Sequence, residues 1–148
     1  MNLVDAAAIE AAGAGLGALL RAGDVIALVG ELGAGKTTFM RGVAVGAGAP
    51  VELVASPTFA ICHEYPGRVL LLHLDLYRLE RERELDDLGF DDLLDRPGAA
   101  ALVEWADRYP HRLPGDHLVV TLAHAGSART LTAQASGPRS LALLEAWP

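Results

Sequence analysis

A glycine-rich turn near the start of the chain limits the folds that this sequence can adopt. Residues 30–37 read Gly-Glu-Leu-Gly-Ala-Gly-Lys-Thr and match G-x-x-x-x-G-K-[ST] at every fixed position. An apolar run at 25–29 precedes the turn, and a segment with helical spacing at 36–45 follows it. A buried strand that enters such a turn and a helix that leaves it predict a phosphate-binding loop in an α/β fold.

The residue types of this loop suit a ligand that carries several phosphates. Glycines let consecutive backbone N–H groups point inward, and the helix that follows adds its positive N-terminal end. We expect Lys36 to reach the β- and γ-phosphates, Thr37 to ligate Mg²⁺ and Thr38 to contact the α-phosphate. Lys36 is the sole lysine among 12 basic residues, which indicates a position that needs a compact ammonium. The loop residues predicted to bind nucleotide are Glu31, Leu32, Gly33, Ala34, Gly35, Lys36, Thr37 and Thr38.

The remaining pattern predicts a layered α/β fold in one domain, residues 1–148. Asp5 can cap an opening helix, although three glycines at 13, 15 and 17 weaken this prediction, and Gly23 can end it. Further strands are predicted at 53–55, 59–65, 69–74 and 99–103, an acidic helix at 80–95, a hairpin from 117–122 and 129–133, and a last helix at 138–147. We therefore expect a P-loop NTPase-like three-layer sandwich with a mixed, mostly parallel sheet and an antiparallel C-terminal edge.

Three residues outside the loop are candidates for completing the site. Asp75 follows the apolar strand 69–74, where an acid of the Walker B type would hold the Mg²⁺ shell at the end of a neighbouring strand. Thr58 lies on a predicted loop from which a switch-type threonine could reach Mg²⁺ and the γ-phosphate, and its alternative is a plain Pro-Thr turn. Glu104 ends the strand 99–103 and could position water or order the metal shell, its alternative being a surface ion pair. His73 is interpreted as a structural histidine, and Trp105 as a residue more often found in a core than against a ligand.

Composition excludes several classes of protein. The formal net charge of −7 argues against a broad basic surface for nucleic acid, although a partner or a small patch could still provide contact with RNA. A single cysteine, Cys62, excludes an intrachain disulfide, and the apolar stretch 6–20 is too short to span a membrane, so we expect a cytoplasmic protein. The guanine-reading sequence Asn-Lys-x-Asp is excluded because Asn2 is the sole asparagine, which favours ATP.

Together these motifs resemble the bacterial TsaE (YjeE) family. The resemblance rests on residues 30–42, on Ser-Pro-Thr-Phe at 56–59, on His-Leu-Asp-Leu-Tyr-Arg at 73–78 and on Glu104-Trp105, in this order. The loop alone is generic, but the set is specific. The chain departs from the family where Ala106-Asp107 follows Glu-Trp in place of Pro-Glu, and where the opening helix lacks a threonine.

The resemblance implies a small ATPase of tRNA threonylcarbamoyladenosine synthesis that binds ATP or ADP with Mg²⁺. It implies slow hydrolysis by the isolated chain, binding to the TsaD and TsaB proteins, and contact with tRNA through that complex. Catalytic roles then fall to Lys36, Thr58, Asp75 and Glu104. Metal ligation is assigned to Thr37, Thr58, Asp75 and Glu104, and Trp105 joins the residues near the nucleotide.

Two other functions stay open at this point. The loop and the chain length also suit a small-molecule or nucleotide kinase, which would pass phosphate to an acceptor. A non-enzymatic interaction module, gated by ATP binding, is the third reading. The acidic stretch 80–95 is expected to be a solvated helix face, with a docking patch for a basic partner as its alternative.

Overall fold

One seven-stranded sheet organises the residues described by the computed structural model, which are 2–3, 5–31, 33–55 and 61–148. The strands are β1 (Asn2–Leu3), β2 (Val25–Val29), β3 (Cys62–Tyr65), β4 (Leu70–Asp75), β5 (Ala99–Glu104), β6 (Leu118–Ala125) and β7 (Ala128–Ala135). The helices are α1 (Ala6–Gly17), α2 (Lys36–Gly46), α3 (Val51–Ala55), α4 (Arg83–Leu88), α5 (Phe90–Leu94) and α6 (Pro138–Ala146). Short 3₁₀ turns occupy Ala106–Arg108 and Pro110–Arg112.

The strand order is β1-β7-β6-β2-β5-β4-β3. Strand β2 lies at the centre and pairs in parallel with β5 and β6, and β4 pairs in parallel with β5. Strands β3, β7 and β1 are antiparallel to their neighbours. The predicted fold class is confirmed, with one addition. The short strand β1 pairs with β7 and takes the outermost position beyond the C-terminal hairpin.

Helices cover both faces of the sheet, and the sequence of β2 shows why. Ile26 and Leu28 belong to a core with residues of α1, α2 and α6, whereas Val25 and Ala27 belong to a second core with residues of α4 and α5. Successive strand side chains point to opposite faces, so a strand buried on both sides must be apolar throughout. The uninterrupted apolar run before the loop is therefore the signature of a central strand.

Helices α1 and α2 pack through four glycines, Gly13, Gly17, Gly42 and Gly46, which we call the glycine seam. A Cβ atom at Gly17 would lie 2.1 Å from the carbonyl oxygen of Val43, and one at Gly42 would lie 2.2 Å from that of Glu10. Such distances leave no room for any side chain, so the two backbones touch directly. Two of the three glycines that weaken helix propensity in α1, Gly13 and Gly17, are thus the residues that pack α1 against α2. Asp5 caps α1 as predicted, by accepting a hydrogen bond from the Ala8 N–H at 2.9 Å.

Four predicted elements differ from the structure. Residues 53–55, predicted as strand, belong to helix α3, and in the segment 59–65 strand β3 covers Cys62–Tyr65. Helix α1 ends at Gly17, six residues before Gly23, where a turn leads to β2. The acidic stretch 80–95 contains two short helices because Gly89 adopts a left-handed φ of 75° between them. Most of its acidic side chains are exposed, as a solvated face requires. Across the described residues, none of the helices has both the length and the apolar character that crossing a membrane demands.

Candidate functional site

The glycine-rich loop joins β2 to α2 at the carboxyl ends of the parallel strands. Gly33 and Gly35 have φ values of 80° and 101°, which side chains rarely tolerate, and Gly35 is the N-cap residue of α2. Residues in this conformation turn successive N–H groups towards one point, where the helix adds its partial positive charge. The described part of the loop therefore has the backbone of an anion-binding nest. Leu32, predicted to contribute to it, lies outside the described residues.

Lys36 occupies the first position of α2 and is 7% exposed. Its ammonium donates hydrogen bonds to the carbonyl oxygens of Gly30 and Glu31, the latter at 3.2 Å. Burial lowers the pKa of Lys36, and the carboxylates of Glu104, Asp75 and, more weakly, Asp107 oppose this effect. The loss of hydration lowers the pKa more than the carboxylates raise it, so burying the charged ammonium costs free energy. A bound polyanion would reduce this cost.

The two predicted acids lie side by side, but the P-loop strand has a different neighbour from the one we expected. Asp75 and Glu104 are register partners on β4 and β5, and Glu104 is also paired with Leu28 on β2. Strand β5 therefore separates β4 from the P-loop strand. The prediction that Asp75 lies on a neighbouring strand is wrong; Glu104 occupies that position. The sheet nevertheless brings both carboxylates towards Lys36, whose pKa both of them influence.

Glu104 is buried, which excludes the surface ion pair considered from the sequence. It is 6% exposed, and its Oε2 lies 2.6 Å from Nε2 of His73, itself 6% exposed. A carboxylate at this depth needs a partner to compensate for lost water, and His73 supplies one from two residues before Asp75. His73 is thus a structural histidine, as interpreted, but one that holds a predicted catalytic residue.

Trp105 has an unusual backbone and lies beside the loop lysine. Its φ is 63°, the one positive φ among the described residues other than glycine, a conformation that costs about 1–2 kcal/mol. The Lys36 ammonium lies 4.1 Å from its ring centroid, and the Tyr77 ring lies 5.0 Å away. Trp105 also lines a cleft of about 750 Å³ with Gly30 and Glu31. Trp105 therefore lies beside the loop lysine, and its ring also packs against the second core. Its contact with nucleotide, which the resemblance implies, stays a prediction.

A smaller pocket of about 260 Å³ lies on the other side of the loop, against Thr38. Its walls include Asp5 and Ile9 of the N-terminal region and Arg129 of β7, and Arg129 donates a hydrogen bond to the Gly33 carbonyl at 3.3 Å. The sequence analysis missed Arg129 because it belongs to no motif and lies 96 positions from Gly33. Only the pairing of β7 beside β6 brings it to the loop.

The oxygen donors of the site suit magnesium. Thr37, in the first turn of α2, is exposed and offers a hydroxyl, and Asp75 and Glu104 offer carboxylates. Mg²⁺ binds through one or two protein oxygens while phosphates and waters supply the rest. Within the described ranges, no three His, Cys, Asp or Glu side chains form a ready-made metal site. Thr58, the fourth predicted metal ligand, lies outside the residues that the structure describes.

A parallel-centred sheet, a glycine loop with an inward-turned lysine, and paired acids on the next two strands define a P-loop NTPase-like fold. Residues 3–131 match the family described as threonylcarbamoyl adenosine biosynthesis protein TsaE, and the chain belongs to that family.

Relatives and a solved structure agree with this assignment. A Bacillus subtilis protein named tRNA threonylcarbamoyladenosine biosynthesis protein TsaE is 45% identical over 130 residues, covering 86% of this chain and 80% of the relative. The Nostoc protein of the same name is 42% identical over 113 residues, covering 74% and 68%. A crystal structure of Bacillus subtilis YdiB superposes with a TM-score of 0.81 at 34% identity, covering 98% of this chain and 90% of that one.

Proposed function

We propose that this chain, acting as a single unit of residues 1–148, binds ATP with Mg²⁺ and hydrolyses it slowly in the threonylcarbamoyladenosine modification of tRNA. The observation that carries the proposal is the buried Lys36 ammonium, set in the mouth of a glycine nest and facing Glu104 and Asp75. The names of the relatives support the biosynthetic role. The cytoplasmic location expected from the sequence remains a prediction.

The residues of the site divide the work of hydrolysis. The nest around Gly33 and Gly35 binds the phosphate chain through backbone N–H groups, and Lys36 offsets the charge that moves onto the leaving oxygen. Glu104, fixed by His73, is placed to orient a water molecule towards the γ-phosphate. Thr37 and Asp75 would hold Mg²⁺, which supplies charge neutralisation to the phosphate oxygens.

Partner proteins complete the proposed reaction. A net charge of −7 makes independent tRNA binding weak, so contact with tRNA is assigned to a complex with TsaD and TsaB. The exposed acidic residues of α4 and α5 offer a surface for a basic region of such a partner. ATP turnover in this chain would then respond to assembly.

The test measures ATP hydrolysis by the purified chain, alone and with TsaD, TsaB and tRNA, and the modification of that tRNA. The wild-type chain should release free phosphate slowly and faster with the partners. Lys36→Ala should lower both hydrolysis and modification by about 100-fold, since it removes the phosphate-facing charge. Arg21→Ala, which changes an exposed arginine in the turn before β2, is the matched control and should match wild type.

Unchanged tRNA modification with Lys36→Ala would refute the proposal. Phosphate found on an acceptor molecule, instead of in solution, would identify the chain as a kinase. A Glu104 variant that keeps both nucleotide binding and repeated rounds of modification would favour a nucleotide-gated interaction module.

A further inference from the structure

Arg108 joins the two loops that follow the acid-bearing strands. It ends the 3₁₀ turn after Trp105, and its guanidinium crosses to the loop after β4. There Nη1 lies 2.7 Å from the carbonyl oxygen of Tyr77, 3.1 Å from that of Leu79 and 3.4 Å from that of Leu76. One side chain from the β5 loop therefore gathers three backbone carbonyls of the β4 loop.

Backbone hydrogen bonds close the same junction. The Leu76 N–H donates to the Glu104 carbonyl at 3.1 Å, and the Arg108 N–H donates to the Trp105 carbonyl at 3.2 Å. Trp105, which has the left-handed φ, lies in the chain between Glu104 and Arg108, and both of these residues are held by hydrogen bonds. A strained residue persists when its surroundings fix it, and here they do.

The guanidinium also packs against the two aromatic rings of the site. Its Cζ lies 5.4 Å from the Trp105 ring centroid and 5.6 Å from that of Tyr77. Trp105 in turn lies against Lys36, and the Tyr77 N–H donates to Asp75 Oδ1 at 3.0 Å. Displacement of Arg108 would therefore disturb Lys36 through the Trp105 ring, and it would disturb Asp75 through Tyr77 of the β4 loop.

We propose that Arg108 is a positioning residue for hydrolysis: it fixes the β4 loop and Trp105 so that Lys36, Asp75 and Glu104 keep their relative geometry. This inference rests on the proposed ATPase function. The role needs arginine, because Nη1 lies among three carbonyls while the flat guanidinium face packs against two rings. A lysine ammonium also carries three donors, but it has no flat face to pack against the rings.

The experiment uses the Trp147→Phe chain as parent, which leaves Trp105 as the sole tryptophan of the two in the sequence. Arg108→Met, which keeps an apolar stem but removes the donors, is compared with Arg108→Lys and with Arg83→Met at an exposed arginine of α4. Acrylamide quenching of Trp105 fluorescence is measured without nucleotide, and kcat and KM for ATP are measured on the same samples.

In Arg108→Met the quenching constant should rise at least about twofold, because a released half-buried ring becomes mobile. Its kcat should fall about tenfold while KM changes less than about twofold, since the loss is one of alignment. Arg108→Lys should recover only a fraction of both values, and Arg83→Met should equal the parent.

Unchanged quenching in Arg108→Met overturns the proposal, even if the melting temperature falls, because Arg108 would then only stabilise the chain. Increased quenching with an unchanged kcat overturns the link to hydrolysis. A parent that neither binds nor hydrolyses ATP refutes the proposed function itself. In that case the nucleotide-free quenching still decides whether Arg108 orients Trp105, so the two failures are distinguishable.

Discussion

The flank and the N-terminus of helix α2 are built in opposite ways. Along its flank, the glycine seam brings α2 against α1 with backbone touching backbone and no side chain between them. At its N-terminus, long side chains meet: Lys36 from the helix, Glu104 and Trp105 from β5 and its loop, and Asp75 from β4. The flank of α2 packs closely because its glycines have no side chains, whereas its N-terminus is surrounded by charged and aromatic side chains.

The difference teaches how one short helix can be both scaffold and site. Close packing at the seam fixes the distance between α1 and α2. Helix α2 therefore holds Lys36, its first residue, in a fixed position. The N-terminal end, by contrast, contains a strained Trp105 and a buried ammonium, both of which cost stability. Variants of the seam should therefore change stability, and variants of the N-terminal end should change activity.

The largest effect is expected from Gly17→Ala in the seam. The new methyl group would lie 2.1 Å from the Val43 carbonyl, so the helices must separate, and the free energy of unfolding should fall by about 3 kcal/mol. Chemical denaturation measures the change. Gly15→Ala, in the same helix, is the matched control: its methyl group would lie 3.5 Å from the nearest atom, in ordinary contact with Trp147. It should leave stability unchanged or raise it by up to about 1 kcal/mol. A gain of stability in both variants would show that helix propensity, and not the close approach, governs this region.

Glu104→Gln should have the next largest effect, on activity and not on stability. The amide keeps the size of the side chain and can still bond His73, but it removes the acceptor for a proton of the attacking water. We expect kcat for ATP to fall about 100-fold, as for loss of a general base, while the melting temperature is retained. Steady-state hydrolysis and a thermal scan decide the point, with Glu64→Gln at an exposed site of β3 as the control. A variant that unfolds at lower temperature in proportion to its lost activity would make Glu104 structural.

The smallest effect is a gain in stability from Lys36→Met. The pKa of Lys36 is lower in the folded chain than its ordinary value of 10.5, so folding favours the neutral amine. Below that lowered pKa the lysine is charged in both states, and the full cost of burying the charge is present. Removing the charge should therefore stabilise the fold, a change typically of about 0.5–2 kcal/mol at a functional site.

This gain should shrink as the pH rises through the lowered pKa towards 10.5, where the wild-type amine becomes neutral in both states. Thermal unfolding at pH 7 and pH 10 measures the difference. Arg83→Met, which removes an exposed charge from α4, should show no such pH-dependent gain. A loss of stability at pH 7 would mean that the hydrogen bonds of Lys36 and its nearby acids outweigh burial.

The strand and helix that flank the loop were predictable because they depend on local patterns. All of the signals fall within residues 25–36, namely the apolar run, the glycines and Lys36, and the structure has the strand and helix where the pattern predicts them. The resemblance also led to Trp105, which local statistics alone would have placed in the core.

The features that could not be predicted from the sequence depend on contacts between residues far apart in the chain. The position of β5 between β2 and β4 follows from pairing across the sheet, which no motif encodes, so Asp75 was expected one strand too close. The glycines of α1 were judged by helix propensity alone, although Gly13 and Gly17 matter because they let the backbone of α2 approach closely. Arg108 and Arg129 act through backbone carbonyls far along the chain and so have no sequence signature.

The central place of β2 has a consequence for the order in which the chain is made. Val25 must pair with Ala101 and Ile26 with Leu118, so both neighbours of the loop strand leave the ribosome long after the strand itself. At ordinary rates of synthesis, roughly 4–17 s separate Thr37 from Thr121. During that interval the loop, its lysine and an apolar strand exist without a sheet to hold them. The nucleotide binding that we propose would therefore be a late event in the life of each new chain, available only once the hairpin of β6 and β7 has been made.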